Sequence, residues 1–173
     1  FGVGFSQQGA GSGRAFWAHG RAEGRGAFEQ FMDFVTRRRQ QHPGAHIYHY
    51  ASYEETALKR LASLHATREV EVDNLLRQGA LVDVDKVVRE GIRISEPSYS
   101  IKYVEHFYRP PRAGDVQNAG ASIVFYERWR ETRDAQLLQD IEDYNRDDVD
   151  STLQLRDWLL TLRPAQVAWK TSP

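Results

Sequence analysis

The apolar residues of this chain change period several times along its length, and that change constrains the fold more than any single motif. Short apolar and aromatic runs stand at residues 1–5, 14–19 and 46–50 and read as strands. Elsewhere the apolar residues recur every three or four positions, as on one face of a helix. Phe28, Phe31, Met32 and Val35 predict a helix to about Gln41, stopped by His42-Pro43-Gly44. Ser52 followed by Glu55 predicts a capping box, opening a helix over 54–65 with Ala57, Leu58, Leu61 and Leu64 inward. A helix over 67–78 should bury Val70, Leu75 and Leu76, and residues 81–85 should be extended. Further helices are expected over 98–108, 122–130 and 137–162. The reading is therefore α/β: a mixed sheet with helices packed on it.

At 173 residues the chain is long enough for one domain that buries roughly two-thirds of its unfolded surface. Residues 1–163 are expected to form that domain, with 164–173 as a tail or linker. The lack of cysteine excludes disulfides, thiolate metal sites and cysteine nucleophiles. It permits a reducing cytoplasm, which is the expected location. No apolar run approaches the roughly 20 residues of a membrane span. The chain opens without methionine on what reads as a strand already under way, so a trimmed segment of a longer chain is expected.

Several motifs can be set aside. Gly9, Gly11 and Gly13 lack the spacing of a dinucleotide fingerprint and suit a hairpin turn over residues 7–13. His46 and His49 would point to opposite faces of a strand, which argues against a shared metal. No phosphate-binding Gly-Lys-Ser/Thr loop occurs. Glu54 stands where a strand passes into a helix, a place that exposes functional side chains, although a first-turn glutamate is also favoured by the helix dipole. Asp83 and Asp85 could be strand-end ligands or solvated acids. Residues 143–152 open the last strong helical pattern, and acids gather at helix starts for dipole reasons too. Tyr144 and Asp148, four apart, would share a helix face. Residues 127–150 hold nine acids and four bases, whereas 14–39 hold six bases and three acids. An acidic stretch beside a basic one suits metal and phosphate binding in a nuclease, and equally suits a solvated surface.

Two motifs taken together resemble a known family. His49-Tyr50-Ala51-Ser52-Tyr53-Glu54 resembles the second motif of DEDD exonucleases, with His for the usual Asn and Glu for the usual Asp. Tyr144-Asn145-Arg146-Asp147-Asp148 is similar to the Tyr-x-x-x-Asp third motif of the DEDDy branch. With Ser98-Tyr99-Ser100-Ile101-Lys102, these phrases resemble the YprB-like RNase H-like domain of large bacterial RecB-family-like nuclease and helicase proteins.

That resemblance implies an RNase H-like fold and metal-dependent 3′→5′ hydrolysis of nucleic acid, with two Mg²⁺ or Mn²⁺ ions held by four carboxylates. Asp148 and Glu54 would be metal ligands, Tyr144 would orient the attacking water, and His49 and Tyr53 would line the cleft. Lys102 would contact phosphate. Implied partners are single-stranded DNA or RNA ends and neighbouring nuclease and helicase domains of the same parent chain, with no membrane. The family's Asp-x-Glu first motif does not occur at its place in these residues, and its strand is expected upstream of Phe1. The rival expectation is an inactive RNase H-like module that binds nucleic acid or braces its neighbours.

Overall fold

Backbone pairing between residues 2 and 15 builds the first hairpin, in a computed structural model that describes residues 2–7, 10–111 and 119–168. Strand β1 (Gly2–Gln7) pairs antiparallel with β2 (Ala10–Ala15), in a register running from Gly2 opposite Ala15 to Gln7 opposite Ala10. Gly11 and Gly13 thus lie within a strand, and β2 begins four residues before the strand expected from residue 14. The hairpin turn expected over residues 7–13 falls partly on residues 8 and 9, which lie outside the described residues. Beyond Ala15 the chain leaves the ladder, and Phe16 is buried edge-on to Phe31 with ring centroids 5.7 Å apart.

Helix α1 (Arg21–Gln41) starts a full seven residues before Phe28. Its start follows from Gly20 and Glu23: the Gly20 carbonyl accepts the amides of Glu23 and Gly24, while the Glu23 carboxylate accepts the amide of His19 at 2.9 Å. Phe28 and Met32, one turn apart, are fully buried. Arg38 and Arg39 end the helix where cations complement its dipole.

The stretch β3 (Ile47–His49), α2 (Tyr53–His65), α3 (Glu69–Arg77), β4 (Leu81–Asp83) forms a crossover. It returns the chain parallel to β3, with Ile47 opposite Leu81 and His49 opposite Asp83. A parallel pair needs such a connection, since a tight turn can only reverse the chain. α2 buries Leu58 and Ala62; Leu64, two residues past Ala62 and on the other side of the helix, is 55% exposed. Likewise α3 buries Val72 and Leu75 and leaves Val70 exposed. The expected capping box does not form: Ser52 has φ −84° and ψ 3°, away from the extended cap geometry, and Glu55 pairs instead with Lys59 at 2.5 Å.

Residues 84 and 85, expected to be extended, begin helix α4 (Val84–Gly91), which buries Val84 and Val88 one turn apart. Helix α5 (Ile101–Val104) passes into a 3-10 turn over Glu105–Phe107. Then come α6 (Ala119–Thr132) and α7 (Ala135–Leu162). At 28 residues α7 is about 42 Å long. It packs against β1, β3, α4 and α6.

The fold is α/β, as expected, but the described strands form two separate pairs rather than one continuous sheet. Two apolar clusters hold it together. One gathers Phe28, Met32, Leu58 and Val72 from α1, α2 and α3; the other gathers Val84, Val88, Val104 and Leu155 from α4, α5 and α7. Among the described residues no helix is long and apolar enough to cross a membrane.

Candidate active site

The turn after β3 is tied down from both sides. Ala51 has φ +66°, a left-handed conformation that costs a non-glycine residue roughly 1–2 kcal/mol. Its amide donates to Asp83 Oδ1 at 3.0 Å, and its carbonyl accepts from His49 Nδ1 at 2.7 Å. The same Asp83 oxygen accepts the amides of Asp85 and Lys86 at 3.0 and 3.4 Å, so it caps α4. Asp83 is therefore neither a ligand nor a merely solvated acid; it binds the β3 turn to the start of α4. Asp85 is also engaged, with its oxygens 2.8 and 2.9 Å from Arg89 Nε.

This turn delivers Glu54 to the first turn of α2, with Oε2 3.7 Å from His49 Nδ1. The His49 side chain is 4% exposed and that of Glu54 48%. Because a carbonyl only accepts, Nδ1 carries a proton. Burial pushes the His49 pKa down, but the hydrogen bonds to Glu54 and the Ala51 carbonyl, with the charges of Glu54 and Asp83, outweigh it and leave it raised. Tyr53 is 75% exposed at the start of the same helix. Tyr50 donates to the Tyr99 carbonyl. Burial, aided by the Asp85 carboxylate, lifts its phenol well above the usual range, so it is a structural group.

Tyr144 and Asp148 lie in the middle of α7, not at its start. The helix begins nine residues before Tyr144, where the Asp134 side chain accepts the Gln136 amide at 3.0 Å. The dipole explanation for the acids at 147, 148 and 150 therefore falls, since that effect fades within the first turn. Leu137, Ile141, Ser151 and Leu155 are the buried residues of α7. Their spacing continues through 144 and 148, so half-buried Tyr144 and Asp148 occupy the inward stripe. Asp143 and Asp150 are exposed. Asp147 is held by Arg109, which bonds both its carboxylate and, at 3.3 Å, its main-chain carbonyl. One turn on, Tyr108 Oη and buried Ser151 Oγ are 2.8 Å apart.

Against β3, α7 places Leu155 in the cluster that Tyr50 joins, and the Arg156 guanidinium 5.3 Å over the Tyr48 ring. Glu54 thus stands beside His49, and Tyr144 and Asp148 share a face of α7, whose named contacts with β3 and its turn are made further along, by Leu155 and Arg156. Lys102 is half-buried on α5. His46 is exposed and separate from His49. Arg109, Tyr108 and Asp83 were missed as site-building residues: their partners lie 32 to 43 positions away in sequence. The one readable signal was Asp83 preceding Val84 and Val88, an acid before a helical spacing.

Glu54 and Asp148 have the right donor chemistry for a hard divalent cation. Among the described residues, however, no three His, Cys, Asp or Glu side chains group as a metal site. These residues alone do not complete one.

Strand pairs, a helical crossover and a long closing helix that turns an acid inward define an α/β domain. Residues 1–160 match the family described as RNase H superfamily, and the chain belongs to it. No curated protein and no solved structure gives a significant match.

Proposed function

We propose that this domain hydrolyses phosphodiester bonds in nucleic acid as a DEDDy-type 3′→5′ exonuclease, within a larger protein that also carries nuclease and helicase domains. The supporting observation is Asp148 on the inward stripe of α7. Tyr144 one turn earlier and Glu54 beyond the end of β3 complete this chain's share of the catalytic group. In parallel α/β sheets, ligands gather beyond the carboxyl ends of strands, which is where His49 and Glu54 stand.

In this reading Asp148 and Glu54 are ligands, Tyr144 orients water, His49 and Tyr53 border the terminal nucleotide and Lys102 meets a phosphate. Two Mg²⁺ or Mn²⁺ ions, when bound, supply Lewis-acid stabilisation of the phosphoryl oxygens. Their remaining carboxylates come from outside the described residues. His49, whose Nδ1 proton goes to the Ala51 carbonyl, stands 3.7 Å from Glu54 as its charge partner when protonated, and Arg109 holds the α7 backbone beside Asp148.

The test uses full-length protein, a 5′-labelled single strand and Mn²⁺. Products should shorten stepwise from the 3′ end, and Asp148→Ala and Tyr144→Phe should each slow cleavage by about 100-fold or more. Unchanged cleavage in both variants defeats the assignment. A second reading, a module that binds without cutting, is favoured by the engagement of Asp83, Asp85 and Asp147 within the fold. It predicts oligonucleotide binding with no metal-dependent product.

A further inference from the structure

We propose that Trp17, His19, Tyr126 and Trp129 form a stacking site for an unpaired nucleobase, an inference that rests on the nucleic-acid reading above. His19 lies near-parallel to Trp17 (17°, centroids 5.8 Å apart) and to Tyr126 (6°, 6.3 Å). Its ring is 4.6 Å from that of Trp129, which lies 5.3 Å from Tyr126. None of the four belongs to either apolar cluster. His19 is exposed and the other three are half-buried, so the array opens to water at the imidazole.

The array also carries a cation. Arg133 sits in a left-handed conformation (φ +60°), and its amide donates to the Trp129 carbonyl at 2.8 Å. That backbone arrangement keeps its guanidinium 4.8 Å from the Trp129 ring centroid. Aromatic faces with an adjacent arginine suit a base joined to a phosphate, and stacking tolerates any base because each has a π-face. Trp17 Nε1 donates to Glu142 Oε2 at 3.3 Å, anchoring the array to α7. Glu142 precedes Tyr144 and Asp148 by roughly 3 and 9 Å along the helix axis, on another side of α7.

The test is binding without cleavage. Full-length protein in EDTA and low salt is titrated with short oligothymidylate and with an abasic strand of equal length, following anisotropy and tryptophan emission. Oligothymidylate should quench emission and bind about 5- to 150-fold more tightly than the abasic strand. His19→Ala, exposed and safe for folding, and Trp129→Ala should lower affinity for oligothymidylate about fivefold or more, with Trp129→Phe restoring most of it. Abasic-strand binding should not change. Equal affinity for the two strands, or full-strength binding by both alanine variants, overturns the proposal. If that happens while cleavage still depends on Asp148, the stacking site fails and the nuclease reading stands. If no strand binds at all, the stacking site fails, and the nuclease reading is decided by cleavage in Mn²⁺.

Discussion

Asp83 shows how much one carboxylate oxygen can organise. It accepts three amides: Ala51, in a conformation alanine resists, and the first two free amides of α4. Asp83→Ala should therefore cost about 1–3 kcal/mol, combining a lost cap with a buried amide left unmade. Asp83→Asn keeps an acceptor oxygen and should recover more than half of that. Urea unfolding of the three proteins measures the difference; equal midpoints would show that the turn holds itself. The sequence left Asp83 and Asp85 between ligand and solvated acid because the choice turns on a contact with Ala51, 32 residues away. The place of Glu54 at a strand-to-helix junction, by contrast, was legible, since that junction is a local pattern.

At the scale of elements, α7 carries the interpretation, and its sequence was read correctly in extent but not in emphasis. Residues 143–152 read as an opening, whereas Asp134 opens the helix and the acids lie mid-helix. The inward stripe through Leu137, Ile141, Ser151 and Leu155 was present as a spacing of three and four, but acids at 144–148 mask it in any hydrophobic count. Arg109 and Tyr108 grip this helix at Asp147 and Ser151, on either side of Asp148. Arg109 is 13% exposed, so Arg109→Ala removes a half-buried ion pair with Asp147 and should cost about 1–3 kcal/mol. In the nuclease reading it should also raise the Mn²⁺ concentration needed for half-maximal cleavage, which Ser151→Ala, removing a neutral hydrogen bond, should move far less. Equal metal requirements in wild type and Arg109→Ala would reduce Arg109 to a stabilising contact.

Across the whole molecule, the β3–β4 pair is the seam between two cores. Ile47 and Leu81 pack on the cluster built around α1, whereas Tyr50 and Val84, just past the strands' other ends, join the cluster built around α7. The class of fold was legible because period alone separates strand from helix. The parallel pairing was not, because it unites segments 34 residues apart and is set by the two cores together. The candidate site lies at this seam, with Glu54 following β3 and Asp148 on the helix packed against it, so its geometry depends on both cores. Met32→Ala and Leu155→Ala, each at a fully buried position, should each cost about 2–5 kcal/mol. If the seam couples the cores, each variant should shift one common unfolding transition, with backbone circular dichroism and tryptophan fluorescence changing together. With Trp17, Trp129 and Trp169 replaced by phenylalanine, Trp158 alone reports the α7 core, so Met32→Ala should lower its midpoint as much as that of the backbone signal. A tryptophan midpoint that ignores Met32→Ala would mean the cores unfold independently, and the seam would then be a contact rather than a coupling.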